Sequence, residues 1–219
     1  MSRVSLRLRK GDEVKYLSHR DLMRAFEFAM RRARIPVRYS AGFNPRPRMS
    51  FGSAVGVGVT SDDERVVVEL VSAEDPSEIR ERLNSQLPNG LNVLEAEAVP
   101  DDVKSPVSGL NASQFRIMAA CGAGDSAQDI GTAVRKLLES AEARVIRMRK
   151  GQAREVDVRP HILQADAKEC GNCSVVIDVS LGFGDSGGAG PQDFVQALRS
   201  WAPNLCVKSI HRSRQFHAP

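Results

Sequence analysis

The 219-residue sequence has no apolar run approaching the 18 or so residues that cross a bilayer, so no membrane association is expected. Its first residues, MSRVSLRLRK, alternate charged and aliphatic side chains and lack the continuous apolar core of a signal peptide, which points to a cytoplasmic protein. Cysteine is sparse. The four thiols, Cys121, Cys170, Cys173 and Cys206, read as reduced in such a compartment. Cys170 and Cys173 have the spacing of half a zinc site, but no second pair completes it. A hairpin turn at Gly171-Asn172 explains the same residues, so no metal is expected. There is also no P-loop, no HExxH, no Ser/His/Asp arrangement and no defensible carboxylate pair. The common hydrolase and nucleotide-hydrolysing classes therefore have no foothold.

What is present is charge, unevenly placed. The formal net charge is only +4, but residues 1–50 hold thirteen Lys/Arg against four Asp/Glu, and residues 51–110 hold four against twelve. A basic N-terminal third gives one face a field that attracts polyanions. The cations are mostly arginines, whose planar fork binds phosphate bidentately and stacks on bases.

With 42% hydrophobic residues a chain of this length buries a full core without staples. Val4, Leu6 and Leu8 alternate with arginines as a half-buried strand. Ser18 and Asp21 have capping-box spacing, followed by the apolar stripe Leu22, Phe26, Met30 and Ala33, which predicts a helix ending before Pro36. Extended chain over 45–60, an acidic turn at Ser61-Asp62-Asp63, a strand over 65–71, a helix from Asp75-Pro76 and a strand over 91–98 complete a β-α-β-β-α-β order. Residues 100–110 read as a linker. Beyond it the order roughly repeats, with a strand over 114–120, a helix over 125–140, an extended pair over 144–149 and 156–163, a strand over 174–181, a helix over 191–201 and a strand over 205–212. The loop GFGDSGGAG reads as flexible by composition. The expected fold class is α+β, as two tandem ferredoxin-like modules over 1–99 and 111–219, the second with an extra strand.

The candidate chemistry centres on the first helix and the loop after it. Arg20, Arg24, Glu27, Arg31 and Arg34 share the helix face opposite the apolar stripe, and Glu27 pairs with only one arginine at a time. The following segment adds Arg38, Arg46 and Arg48 with no acid, the last two interleaved with Pro45 and Pro47. The prolines present those arginines at lower entropic cost. Tyr39 and Phe43, set among the cations, are candidates for stacking on unpaired bases, whereas Phe51 is expected to pack under the loop. Gly52, Gly56 and Gly58 fall on one face of an extended segment and suggest close approach by another backbone or a ligand. A second basic group comprises Arg144, Arg147, Arg149, Lys150 and Arg154, around a hairpin turn at Gly151, and on the strand that follows Asp157, Arg159 and His161 are expected to share a face. His19, first residue of the helix, is the one candidate general base, with no second acid–base partner in view.

The stretch YLSHRDLMRAFEFAMRRARIPVRYSAGFNPRPRMSFGSAVGVGV, with RKGQAREVDVRPHI further on, resembles the radical-SAM-linked domain family of unknown function, which occurs alone or fused after a radical SAM module. The resemblance implies that this chain meets a radical SAM enzyme in trans, one acting on RNA. The chain lacks the C-x3-C-x2-C cluster motif of those enzymes, so no iron–sulfur cluster, S-adenosylmethionine or other cofactor is expected on it alone. More loosely, tandem ferredoxin-like modules with a glycine-rich element are similar to the endoribonucleases that process CRISPR repeats, an analogy of fold alone. Three readings follow. The first is a non-catalytic RNA-binding accessory protein. The second is a metal-independent endoribonuclease using His19, distinguished by RNA cleavage in EDTA that His19→Ala abolishes. The third is a protein-interaction subunit, distinguished by weak RNA affinity and co-purification with a radical SAM protein.

Overall fold

Alternation in the first ten residues builds the central strand of the first unit. In the computed structural model, which describes residues 2–122, 125–149, 151–171, 173–184 and 187–218, strand β1 (Ser2–Lys10) buries Val4, Leu6 and Leu8 on one face. The chain divides into two compact units, 1–110 and 111–219.

In the first unit, helix α1 (His19–Arg32) leads to β2 (Met49–Phe51) and β3 (Thr60–Leu70), and helix α2 (Pro76–Asn84) leads to β4 (Leu91–Val99). β1 runs antiparallel between β3 and β4, and β2 adds to β3, so the spatial order is β2-β3-β1-β4. Both helices cover one face of these strands. Phe26, Ala29 and Met30 of α1 and Ile79 and Leu83 of α2 join Val4, Leu6, Leu8, Val66 and Val68 in one core.

The ends of α1 are fixed by specific bonds. The Ser18 hydroxyl accepts from the Asp21 N–H at 3.3 Å and donates to the Asp21 carboxylate at 2.6 Å. At the C-terminus, Ile35 N–H donates to Met30 O and Arg34 N–H to Arg31 O, a Schellman closure with Arg34 at φ 52° in the position glycine usually takes. Pro36 therefore follows a stop that the backbone has already made. Arg82 of α2 donates to the carbonyls of Ala33 and Arg34 and tethers that end.

Two readings of the first unit are corrected. Ser61, Asp62 and Asp63 are not a turn but part of β3, where Asp62 pairs with Arg9 at 3.5 Å and Asp63 with Arg65 at 2.7 Å. Residues 52–59 form no regular strand, and Gly58 sits in a turn at φ +82° with its N–H on Lys15 O. Gly52, Gly56 and Gly58 consequently make no glycine face, because that face requires strand geometry throughout.

In the second unit the order is β5 (Ala112–Ala120), α3 (Ala127–Glu139), β6 (Arg144–Arg149), β7 (Gln152–Asp157), β8 (Ile162–Glu169), β9 (Ser174–Gly184), β10 (Gly187–Gly188), α4 (Pro191–Leu198) and β11 (Cys206–Phe216). β5 lies between β9 and β11, β8 adds to β9, and every pair is antiparallel. β6 and β7 form a separate hairpin turning at Gly151, φ +79°. The turn expected at Gly171-Asn172 joins β8 to β9, with Asn172 itself outside the described residues. Within the glycine-rich loop, β9 continues to Gly184 and β10 pairs beside it, with 185 and 186 outside the described residues.

The fold class is mixed α+β, with antiparallel strand pairing and four α-helices among the described residues. No helix of the described residues is long and apolar enough to cross a membrane.

Asp157 gives the second unit an acid-sensitive joint. Its carboxylate accepts from the backbone N–H of Ala143 at 2.8 Å and of Arg159 at 3.0 Å, and the Ala143 bond, foremost, holds the carboxyl below its ordinary range. A depressed folded-state pKa stabilises above the unfolded value and loses that contribution as pH falls through the folded one. Asp157→Ala is therefore expected to lower stability at pH 7, with the gap to wild type closing below roughly pH 4. Urea melts at pH 7 and pH 3 check this; an unchanged gap would refute it.

Candidate functional site

The chain after α1 folds back on itself. Ser40 N–H donates to Arg46 O, Arg46 N–H to the Ser40 hydroxyl, and Arg48 N–H to Arg38 O, while Arg38 N–H reaches Glu69 O on β3. Tyr39 and Pro47 face each other as an isolated bridge. Proline has no N–H to donate, so it fits opposite Tyr39 where no ladder bond is needed. The neck of the loop is thus bonded, and residues 41–45 form its tip, with Gly42 at φ +119°.

This neck brings the loop alongside α1. His19, Arg20, Met23, Arg24 and Glu27 of the helix line a cleft of about 930 Å³ with Asn44, Pro45 and Arg46 of the loop and Met49 of β2. A helix places residues three and four apart on one face, so Arg20, Met23, Arg24 and Glu27 fall together because of sequence spacing alone. The loop arginine joins them through the tertiary fold.

The first unit's arginines divide sharply by partner. Arg7 forms a two-point pair with Glu95, which lies opposite it in the β1–β4 register. Arg9 pairs with Asp62, Arg31 with Glu27 at 3.8 Å and Arg48 with Glu69 at 3.3 Å. Arg3 donates to the carbonyls of Pro100 and Val103, and Arg32 to Gln86 O at 2.7 Å. The acidic half of the unit thus neutralises much of the basic half.

Among the described residues of the first unit, Arg20, Arg24, Arg34, Arg38, Arg46 and Arg80 have no side-chain hydrogen bond or ion pair, and three of these six line the cleft. Asp21 lies near enough to feel Arg24 and Arg20. Its carboxyl is held below the ordinary range chiefly by the Ser18 hydroxyl and less by those two guanidiniums.

The remaining expected site residues are placed differently. Arg48, read as unpaired, is held by an acid 21 positions away that local sequence does not show. Arg38 is half-buried with its Nε enclosed and unpartnered. Tyr39 is exposed and Phe43 fully so at the loop tip, both outside the cleft lining. Phe51 does pack under the loop, edge-on to His19 at 5.4 Å and to Phe26 at 6.3 Å. The His19 Nε2 is enclosed with no hydrogen-bond partner, so that nitrogen meets no solvent in this conformation.

In the second unit two half-buried arginines of the basic group bind the protein itself. Arg147 pairs with Asp193 at 2.8 Å, with a further bond to Gly188 O, and Arg159 donates to Leu138 O and Ile162 O. The expectation that these two present charge to a ligand is corrected: their guanidiniums bind α4, the end of α3 and the start of β8. Asp157, Arg159 and His161 share no strand face, since 159–161 is a 3-10 turn. Arg149 ends β6, and Lys150 lies outside the described residues. Met23, Asn44 and Met49 were not singled out from sequence. Met23 was readable from helical spacing, while Asn44 and Met49 carried no signal.

A family model described as an uncharacterized protein conserved in bacteria (DUF2344) matches residues 3–191. The chain belongs to that family. No match is found among curated proteins. Among solved structures, the family fold is similar to a chain of the structure described as "Crystal Structure of a Cbf5-Nop10-Gar1 Complex", with TM-score 0.53 and 9% identity over 97% of this chain. The match spans 48% of that other chain, about half its length. At that identity the likeness concerns the fold alone. The dye-decolorizing protein from V. cholerae aligns over 95% of this chain and 92% of its own at 6% identity, but its TM-score of 0.22 carries no argument.

Proposed function

We propose that this protein is an RNA-binding accessory protein that works with a radical SAM enzyme in trans, and that its RNA contact is the cleft between α1 and the Pro/Arg loop. The observation that carries the reading is the convergence of Arg20, Arg24 and Arg46, three unpaired guanidiniums, on one cleft. Elsewhere in the unit most arginines have acids or carbonyls as partners. Arginines left unpaired in a concave site suit phosphate, which each guanidinium grips with two parallel N–H bonds. Met23, Pro45 and Met49 supply apolar surface for a sugar or base, and Tyr39 and Phe43 on the loop are free to stack on flanking bases.

The connectivity β-α-β-β-α-β with spatial order β2-β3-β1-β4 supports reading the first unit as ferredoxin-like. The same logic applies to the second, where β8-β9-β5-β11 is the corresponding order and the β6–β7 hairpin is an insertion. The partner enzyme rests on the sequence resemblance, since nothing in the geometry identifies it. Non-catalytic binding is preferred to cleavage because the cleft offers no acid–base pair around His19.

The test is binding of short single-stranded RNAs across a salt series. If about six phosphates are neutralised, log K falls against log salt with a slope of roughly −4. No binding tighter than micromolar at low salt would overturn the reading. Recovery of a radical SAM enzyme with the tagged chain tests the partner separately.

A further inference from the structure

The cleft's charge is larger than one internal phosphodiester requires. Arg20, Arg24 and Arg46 face it, and Glu27, the one acid in its lining, already pairs with Arg31. Asp21, kept ionised chiefly by the Ser18 hydroxyl at the helix cap, stands beside Arg20 and Arg24 and offsets one of the three positive charges. His19 and Arg20 are the first two residues of α1, so the positive end of the helix macrodipole adds to the same place. A cleft with a surplus of about two positive charges is matched by a dianion. An internal phosphodiester carries one negative charge, whereas a terminal phosphomonoester carries close to two near neutral pH.

The dimensions agree. A volume of about 930 Å³ lies at the upper end of the range for small-molecule sites, enough for a nucleotide with its phosphate. The lining is graded in the way such a ligand needs. The guanidiniums lie on both walls, the helix and the loop, while Met23, Pro45 and Met49 provide apolar surface and Asn44 offers an amide for a base edge. Arg46 sits at the bonded neck of the loop, where Ser40 holds its N–H and its carbonyl accepts from Ser40, so its backbone is fixed before any ligand arrives.

Resting on the RNA-binding reading, we infer that this cleft recognises a terminal phosphomonoester, the phosphorylated end of an RNA, in preference to an internal phosphodiester. The end nucleotide enters the cleft, its phosphate bound between Arg20 and Arg24 on the helix and Arg46 on the loop. The rest of the strand leaves past Tyr39 and Phe43.

One oligoribonucleotide prepared with a 5′-phosphate, a 3′-phosphate or hydroxyls at both ends, together with a nucleoside 5′-monophosphate and its parent nucleoside as competitors, tests this. One of the two phosphorylated forms is expected to bind about tenfold or more tighter than the hydroxyl form, and the monophosphate to compete where the nucleoside does not. Arg24→Ala and Arg46→Ala should each weaken the phosphorylated form more than the hydroxyl form and so shrink that ratio toward one. Equal affinity for all three oligonucleotides overturns the end preference and leaves the RNA reading standing. Competition-grade binding of the monophosphate, lost in Arg24→Ala, without binding of any oligonucleotide would keep the phosphomonoester site and overturn the RNA reading. No binding of either kind overturns both.

Discussion

Phe26→Ala is expected to destabilise the first unit by about 3–5 kcal/mol, the usual cost of emptying a buried phenylalanine site. Phe26 is 1% exposed and stands at the centre of a core that joins α1 to both flanking strands and to α2. Its ring also meets Phe51 edge-on at 6.3 Å, beneath the loop that carries Arg46. The surrounding elements are fixed by ladders, by the Ser18 cap and by the Arg82 tether, so they collapse little into the vacated space. That places the expected loss toward the upper part of the range. With a urea m-value of roughly 2 kcal/mol per molar, the midpoint should fall by about 2 M. Hydrogen exchange should show the loss in amides of β1, β3 and α1. Phe26→Leu, which keeps most of the volume, should cost less than about 1.5 kcal/mol. A loss under 1 kcal/mol for the alanine variant would mean that α1 is not seated by this residue. The wall of the cleft would then have to be held by the helix ends alone.

The same helix shows what can be read from sequence. Ser18 as cap, the stripe from Leu22 to Met30 and the cation face opposite were all visible, because each depends on residues within one or two turns. The two prolines around Arg46 likewise marked a stiffened segment. What escaped depends on residues far apart in the chain. Arg48 is neutralised by Glu69, Arg7 by Glu95 and Arg147 by Asp193. None of these acids lies near its partner in sequence, so a local charge count overstates the free cations. The acidic run at 61–63 looked like a turn for a related reason: its acids meet Arg9 and Arg65 only once the strands pair. The glycines at 52, 56 and 58 suggested a strand face by their even spacing. Gly58 instead supplies the positive φ of a turn, a demand that spacing does not express. The cleft itself was half visible. Its helical wall followed from spacing, while its loop wall needed the bonds from Ser40 to Arg46 and from Arg48 to Arg38.

The contrast between paired and unpaired arginines gives the second large effect. Arg24→Ala with Arg46→Ala removes two guanidiniums that have no protein partner, so folding stability should change by less than about 0.5 kcal/mol. RNA affinity at low salt should fall about thirtyfold, roughly 1 kcal/mol for each lost phosphate contact, and the salt slope should flatten by about 1.4. Arg147→Ala with Arg159→Ala should do the reverse. Removing Arg147 strips the charge partner from Asp193, whose carboxylate also holds the Gly190 N–H at the start of α4. Removing Arg159 leaves the Leu138 carbonyl at the end of α3 and the Ile162 carbonyl without their donor. Together these should cost about 2–4 kcal/mol of stability, with RNA affinity within twofold of wild type in folded protein. The two double variants carry the same change in formal charge. A generic attraction of RNA to a basic chain predicts equal losses of affinity from both, whereas a localised cleft predicts a loss from the first alone. Equal losses with intact folds would therefore refute the assignment of the contact to α1 and its loop.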